Sequence, residues 1–174
     1  MGLGCSTSKE AVVKNVDAAR DPSSVDYSTR CENNAGTVHL IYTRRGVDTV
    51  IYNSKKFQTD SDRVYNDPQT FCSVVRDTIA RAYQEFSSSE VSSRFCARYT
   101  YRENSNDSVS RIYLVTNPLT ESSTSYGKMA RYLWRSQSVG NGTANAVDKN
   151  NDAMDYCSSI ERVLANAVRL GVEF

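Results

Sequence analysis

Apolar and polar positions alternate along "GTVHLIYTRRGVDTVIY" (36–52). Val38, Leu40 and Tyr42 share one side of an extended chain, and after Arg44-Arg45-Gly46 a second run carries Val50, Ile51 and Tyr52. A period of two on both sides of a glycine turn predicts a β-hairpin, with Gly46 supplying a positive φ. The period then changes. Asp67-Pro68 offers an N-cap and a first-turn proline. Phe71, Val75, Ile79, Ala82, Tyr83 and Phe86 follow at steps of three and four, which makes one apolar helix face. "SSSE" (87–90) ends it.

Alternation returns in "RFCARYTYRE" (94–103). Phe95, Ala97, Tyr99 and Tyr101 point one way; Cys96, Arg98, Thr100 and Arg102 point the other. "SVSRIYLVTNP" (108–118) is its hairpin partner across "ENSND". With Phe95, Tyr99 and Tyr101 packed inward, Arg94, Arg98 and Arg102 would form a row on the water face. Tyr126, Met129, Ala130, Leu133 and Trp134 fall on one stripe and predict a short helix. "SVGNGTANAVDKNN" reads as a loop. A last helix starts near Asn151, with Met154, Cys157, Ile160, Leu164, Ala167 and Val168 on its apolar face and Gly171 closing it. Residues 1–35 show little periodicity and read as a flexible tether ahead of a single domain over 36–174. The order ββαββαα, an antiparallel sheet of two hairpins with helices packed on it, predicts an α+β fold. It resembles the longin, roadblock and profilin-like group, in which a helix follows a first hairpin and more strands follow the helix. That resemblance implies an adaptor or scaffold rather than an enzyme.

Composition narrows the function. With 39% apolar residues, the 174-residue chain can bury a core. Its net charge is +1 and the charges are spread along the chain, so a broad basic face for nucleic acid is not expected. No apolar run approaches the roughly 20 residues that cross a bilayer. Lys9, Glu10 and Lys14 interrupt any secretory leader in the first twenty residues. The five cysteines (Cys5, Cys31, Cys72, Cys96, Cys157) are odd in number and lack a C-x-x-C pair, so reduced core thiols are expected rather than a disulfide framework or zinc site.

Candidate catalysis is thin. His39 is the sole histidine, sits mid-strand and has no nucleophile motif beside it. Asp21–Glu32 and Asp148-Asn150-Asp152 touch the calcium-loop pattern. Both lack its glycine turn, and the second has Ser159 where the closing glutamate belongs. No enzyme activity, cofactor or metal is expected.

The informative stretch is "MGLGCSTSKE". Gly2 and Ser6 satisfy M-G-x-x-x-[ST], the N-myristoylation signal. A glycine leaves the amine unhindered for acyl transfer. One myristoyl chain holds a membrane only marginally, and a stable anchor needs a second signal. Lys9, Lys14 and Arg20 stand against Glu10 and Asp17, which is no polybasic patch, so palmitoylated Cys5 is the remaining source. The stretch resembles the N-termini of dually acylated proteins: some Src-type kinases, G-protein α subunits and small protozoan flagellar-membrane proteins. That resemblance implies a peripheral membrane protein on the cytoplasmic face of the plasma or flagellar membrane, with Gly2 and Cys5 as lipidation sites. The expectation is a non-enzymatic scaffold whose partners are membrane lipids and another protein. The alternative is a module that binds anionic headgroups, phosphoinositides among them, through Arg94, Arg98 and Arg102.

Overall fold

The computed structural model describes residues 27–57, 67–116 and 131–174. The chain is α+β, with two antiparallel sheets and helices packed on them. The first sheet holds β1 (Tyr27–Asn34), β2 (Thr37–Arg44) and β3 (Val47–Asn53) in that order. Then come α1 (Pro68–Glu85), the single turn α2 (Ser88–Ser92), β4 (Arg94–Arg102) and β5 (Ser108–Thr116). β6 (Tyr132–Arg135) and β7 (Val139–Gly140) pair with successive stretches of β5 on the side away from β4, and α3 (Ala146–Arg169) ends the fold.

Local chemistry explains most boundaries. Arg45 and Gly46 both take positive φ (51° and 76°), so β2 and β3 join through a two-residue turn whose twist suits a hairpin. Ala35 and Gly36 do the same between β1 and β2 (50° and 78°). The Asp67 carboxylate accepts from the N–H groups of Gln69 and Thr70 at 3.1 and 3.2 Å, with Pro68 next in line, as the N-cap reading requires. α3 ends in a Schellman motif. Gly171 (φ 86°) donates to the Val168 carbonyl and Val172 to that of Ala167.

One core joins the two sheets. The buried faces of β2 and β3 (Val38, Leu40, Tyr42, Ile51, Tyr52) meet Phe71, Val75, Ile79 and Ala82 of α1. These continue into Ile160, Val163 and Leu164 of α3 and Ile112 and Leu114 of β5. α1 packs on β1 and β2 and touches β6; α3 packs on β4 and β5 and touches β3.

Five expectations need correction. Residues 27–34, placed in the tether by the boundary at residue 36, form β1. β1 is polar along most of its length, yet it pairs with β2 and stacks Tyr27 on Tyr42 and Tyr83, centroids 5.5 and 4.5 Å apart. Among the described residues three strands therefore precede α1, where the longin-like order has two. Residues 132–135, expected in a helix, form β6. Leu133 and Trp134 face the core as well from a strand, and pairing with β5 satisfies the backbone; residues 126–130 lie outside the described residues. α3 begins at Ala146 rather than near Asn151.

The last two corrections are linked. The cysteines are not free thiols: Cys31 bonds Cys72 and Cys96 bonds Cys157, each with Cα atoms 6.1 Å apart. The faces of β4 are also reversed. Cys96 reaches α3, so the Cys96/Arg98/Thr100 side faces the helix, and Phe95, Tyr99 and Tyr101 lie on the side away from it.

The two disulfide loops, 41 and 61 residues in separation, do not overlap. Loop-closure entropy gives each a stabilisation of roughly 4 kcal/mol at most, and about 2–4 kcal/mol is typical. Reduction should lower the unfolding free energy by that amount per bond in a denaturant titration with and without dithiothreitol. An unchanged midpoint would show that the bonds do not constrain the domain.

Acid sensitivity follows from the helix caps. The Thr70 hydroxyl and backbone N–H hold the Asp67 carboxyl below its ordinary range; the Ser87 backbone N–H, at 2.8 Å, does the same for Glu90. A carboxylate depressed in the folded state adds stability above its unfolded value, near 4, and loses it as pH falls through the folded one. Unfolding free energy should hold from neutrality to about pH 4 and decline below it. The Asp67→Asn/Glu90→Gln variant should show a shallower decline.

Candidate functional site

A bulge in the first sheet borders an open cleft. Leu40 pairs with Tyr52 and Ile41 with Val50, so Ile51 is an extra residue on β3. Such insertions bend a strand and interrupt its ladder. Here the interruption is met by α3: Asn166 Nδ2 donates to the Ile51 carbonyl at 2.9 Å. Asn166 Oδ1 in turn accepts from Arg169 Nη2 at 2.6 Å. One side chain thus ties the outer edge of β3 to the last turn of α3 and fixes one N–H of Arg169.

The opposite wall is equally set. Asn53 Oδ1 accepts from the Lys55 N–H at 3.0 Å, which turns its amide nitrogen toward His39 Nε2, 2.9 Å away. An amide nitrogen only donates, so His39 Nε2 accepts and the ring carries its proton on Nδ1. Among the described residues no partner occupies that Nδ1–H.

The result is an open cleft of about 550 Å³ lined by His39, Asn53, Lys56, Asn166 and Arg169, with Val50, Phe57 and Leu170 as apolar walls. Among the described residues no carboxylate lines it. Among the described residues neither Lys56 nor Arg169 has an acidic partner, whereas Arg30, Arg44, Arg76, Arg81 and Arg131 each pair with one. Sequence reasoning placed none of this. His39 read as a lone strand histidine, and the other four polar residues belong to segments 14–130 positions away. The available signal was the Ile51 insertion, which shifts the alternation within the second run.

The sequence-derived candidates stand elsewhere. Gly2 and Cys5 lie outside the described residues. Arg94, Arg98 and Arg102 share one side of β4 but do not form an open row. Arg94 is half-buried and donates to the carbonyls of Val91 (2.7 Å), Ser92 (3.3 Å) and Glu161 (3.1 Å); burial pushes its guanidinium below its ordinary pKa. Arg98 and Arg102 are exposed, and Arg98 Nη2 approaches Ser110 Oγ at 3.4 Å. The aromatic side of β4 continues across its sheet. Tyr99 meets Tyr113 at 5.4 Å and Tyr113 meets Tyr132 at 5.5 Å, edge to face. Arg81 and Arg135 lie 4.3 and 5.3 Å from the Tyr132 ring. Phe95 on the same side of β4 is 39% exposed, whereas Tyr113 is buried.

Among the described residues no group of three or more His, Cys, Asp or Glu side chains could hold a metal ion. No helix there is long and apolar enough to cross a membrane. Comparison of the chain with protein-family models, with curated proteins and with solved structures finds no match.

The Asn166 bridge has a measurable weight. Asn166→Ala leaves the Ile51 carbonyl without its partner, and an unpaired buried acceptor costs about 1–3 kcal/mol. Denaturant unfolding should show a loss of that order; a loss within about 0.3 kcal/mol would mean that the bridge does not hold helix and strand together.

Proposed function

We propose that the chain is a lipid-anchored, non-enzymatic adaptor, held at the cytoplasmic face of a membrane by a myristoyl group on Gly2 and a palmitoyl group on Cys5. The observation that carries this reading is M-G-x-x-C-S at residues 1–6. Residues 6–26 separate Cys5 from the first described strand, so anchor and domain are distinct stretches of chain. Arg81 and Arg135 packed on the half-exposed Tyr132 support a protein-binding role, because aromatic and arginine side chains are enriched at the energetic centres of interfaces. The headgroup alternative through Arg94, Arg98 and Arg102 is less supported, since Arg94 spends its donors on backbone carbonyls.

The reading makes a demand on the cysteines. Myristoyl transfer is cytosolic, and there the glutathione pool keeps protein thiols reduced. Cys31/Cys72 and Cys96/Cys157 must then persist as dithiols, and the domain must fold without their bonds. The expected loss, roughly 4 kcal/mol for each bond at most, is comparable with the whole stability of many domains.

Gly2→Ala should move the protein from the membrane to the cytosolic fraction, because palmitoylation follows myristoylation. Cys5→Ser should leave weak membrane association. Metabolic labelling with an alkyne myristate and mass spectrometry of the N-terminal peptide would read the modification directly. Full membrane retention of Gly2→Ala overturns the anchor. Unfolding of the reduced domain in spectroscopy overturns the cytoplasmic face while leaving the N-terminal chemistry to be judged by the label.

A further inference from the structure

We propose that the cleft between β3 and the last turn of α3 binds a phosphate monoester carried on a small ring-sized group. This inference does not rest on the acyl anchor. Three residues with N–H donors line the cleft: Lys56, Arg169 and His39, whose Nε2 is engaged by Asn53. A phosphate dianion has the charge and the acceptor oxygens to use all three, and charge-assisted bonds of this kind are the strong ones. Among the described residues the lining holds no acid that would neutralise the cations internally or repel an anion.

Preorganisation distinguishes this place from a scatter of surface cations. Asn53 is locked by the Lys55 N–H and sets the His39 tautomer. Asn166 is locked by the Ile51 carbonyl and fixes one edge of Arg169. Both devices are in place before any ligand arrives, so little ordering remains to oppose binding. One objection is the negative end of the α3 dipole, which would disfavour an anion. The Schellman closure answers it in part: the carbonyls of Asn166, Ala167 and Val168 already accept from Leu170, Val172 and Gly171.

The walls indicate what accompanies the phosphate. Among the described residues five large apolar side chains are exposed, and two of them, Val50 (48%) and Leu170 (40%), line this cleft with Phe57. A cleft of about 550 Å³ suits a small organic group rather than a polymer. Two sources share this chemistry: a phosphorylated inositol headgroup in a membrane and a free phosphorylated metabolite.

The test uses the full chain with Gly2→Ala, so that acyl groups make no contribution. Inositol trisphosphate titrated into it should give saturable amide NMR shifts at His39, Asn53, Lys56 and Arg169. Lys56→Ala/Arg169→Ala, changes on exposed side chains, should weaken binding by at least about tenfold. Lys55→Ala removes one positive charge from a neighbour outside the cleft and should leave affinity within about twofold. Cosedimentation with vesicles containing phosphatidylinositol bisphosphate, abolished by the double variant, assigns the membrane headgroup. Saturable soluble binding without cosedimentation assigns the free metabolite. The proposal is overturned if no saturable shift appears at the cleft, if the double variant binds like the parent, or if Lys55→Ala weakens binding as much as the double variant does.

Discussion

Two covalent bonds sit at matching places in the two sheets. β1 is an outer strand of the first sheet and β4 an outer strand of the second, and each is tied by one disulfide to the helix that packs on its sheet. Outer strands are the weakest elements of an open sheet, because one row of backbone groups lacks a partner. β1 is also poor in apolar side chains, and the α3-facing side of β4 carries Arg94, Arg98, Thr100 and Arg102 around its cysteine. Both strands therefore offer few apolar side chains to their helices, and backbone pairing and the disulfides hold them as well. Cys72 and Cys157 are fully buried on the apolar faces of α1 and α3, so each bond anchors a polar strand to a well-packed helix.

This arrangement explains which features were legible in the sequence. The β2–β3 hairpin, α1 with its Asp67-Pro68 start, the β4–β5 hairpin and the Gly171 stop of α3 are all local: a period, a cap or a turn residue determines each. β1 was not legible, because its place depends on pairing with β2 and on Cys31, not on its own pattern. The period of β4 was legible but its inward side was not. Alternation shows that two faces differ; only a tertiary partner, here Cys157, decides which one turns to the helix. In the same way, the stripe that ends in Leu133 and Trp134 fits a helix as easily as a short strand, and pairing with β5 resolves it.

The cleft was illegible for another reason. His39 and Asn53 meet through strand register, Lys56 follows the end of β3, and Asn166 and Arg169 arrive on a helix more than a hundred residues later. Their residue types are ordinary surface types. What makes them a site is an unpaired β3 carbonyl at an inserted residue and a helix that ends at the right height to meet it.

α3 therefore does two jobs whose geometry is coupled. At Cys157 it is fixed to the second sheet by a covalent bond; at Asn166, more than two turns further on, it is fixed to the first by a hydrogen bond. Gly171 then stops the helix with a positive φ that a residue with a side chain would resist. Stopping at this point leaves the carbonyls of Ala167 and Val168 hydrogen-bonded to Val172 and Gly171, and Arg169 on the cleft lining. The segment that completes the core is thus also the one that gives the cleft its charge.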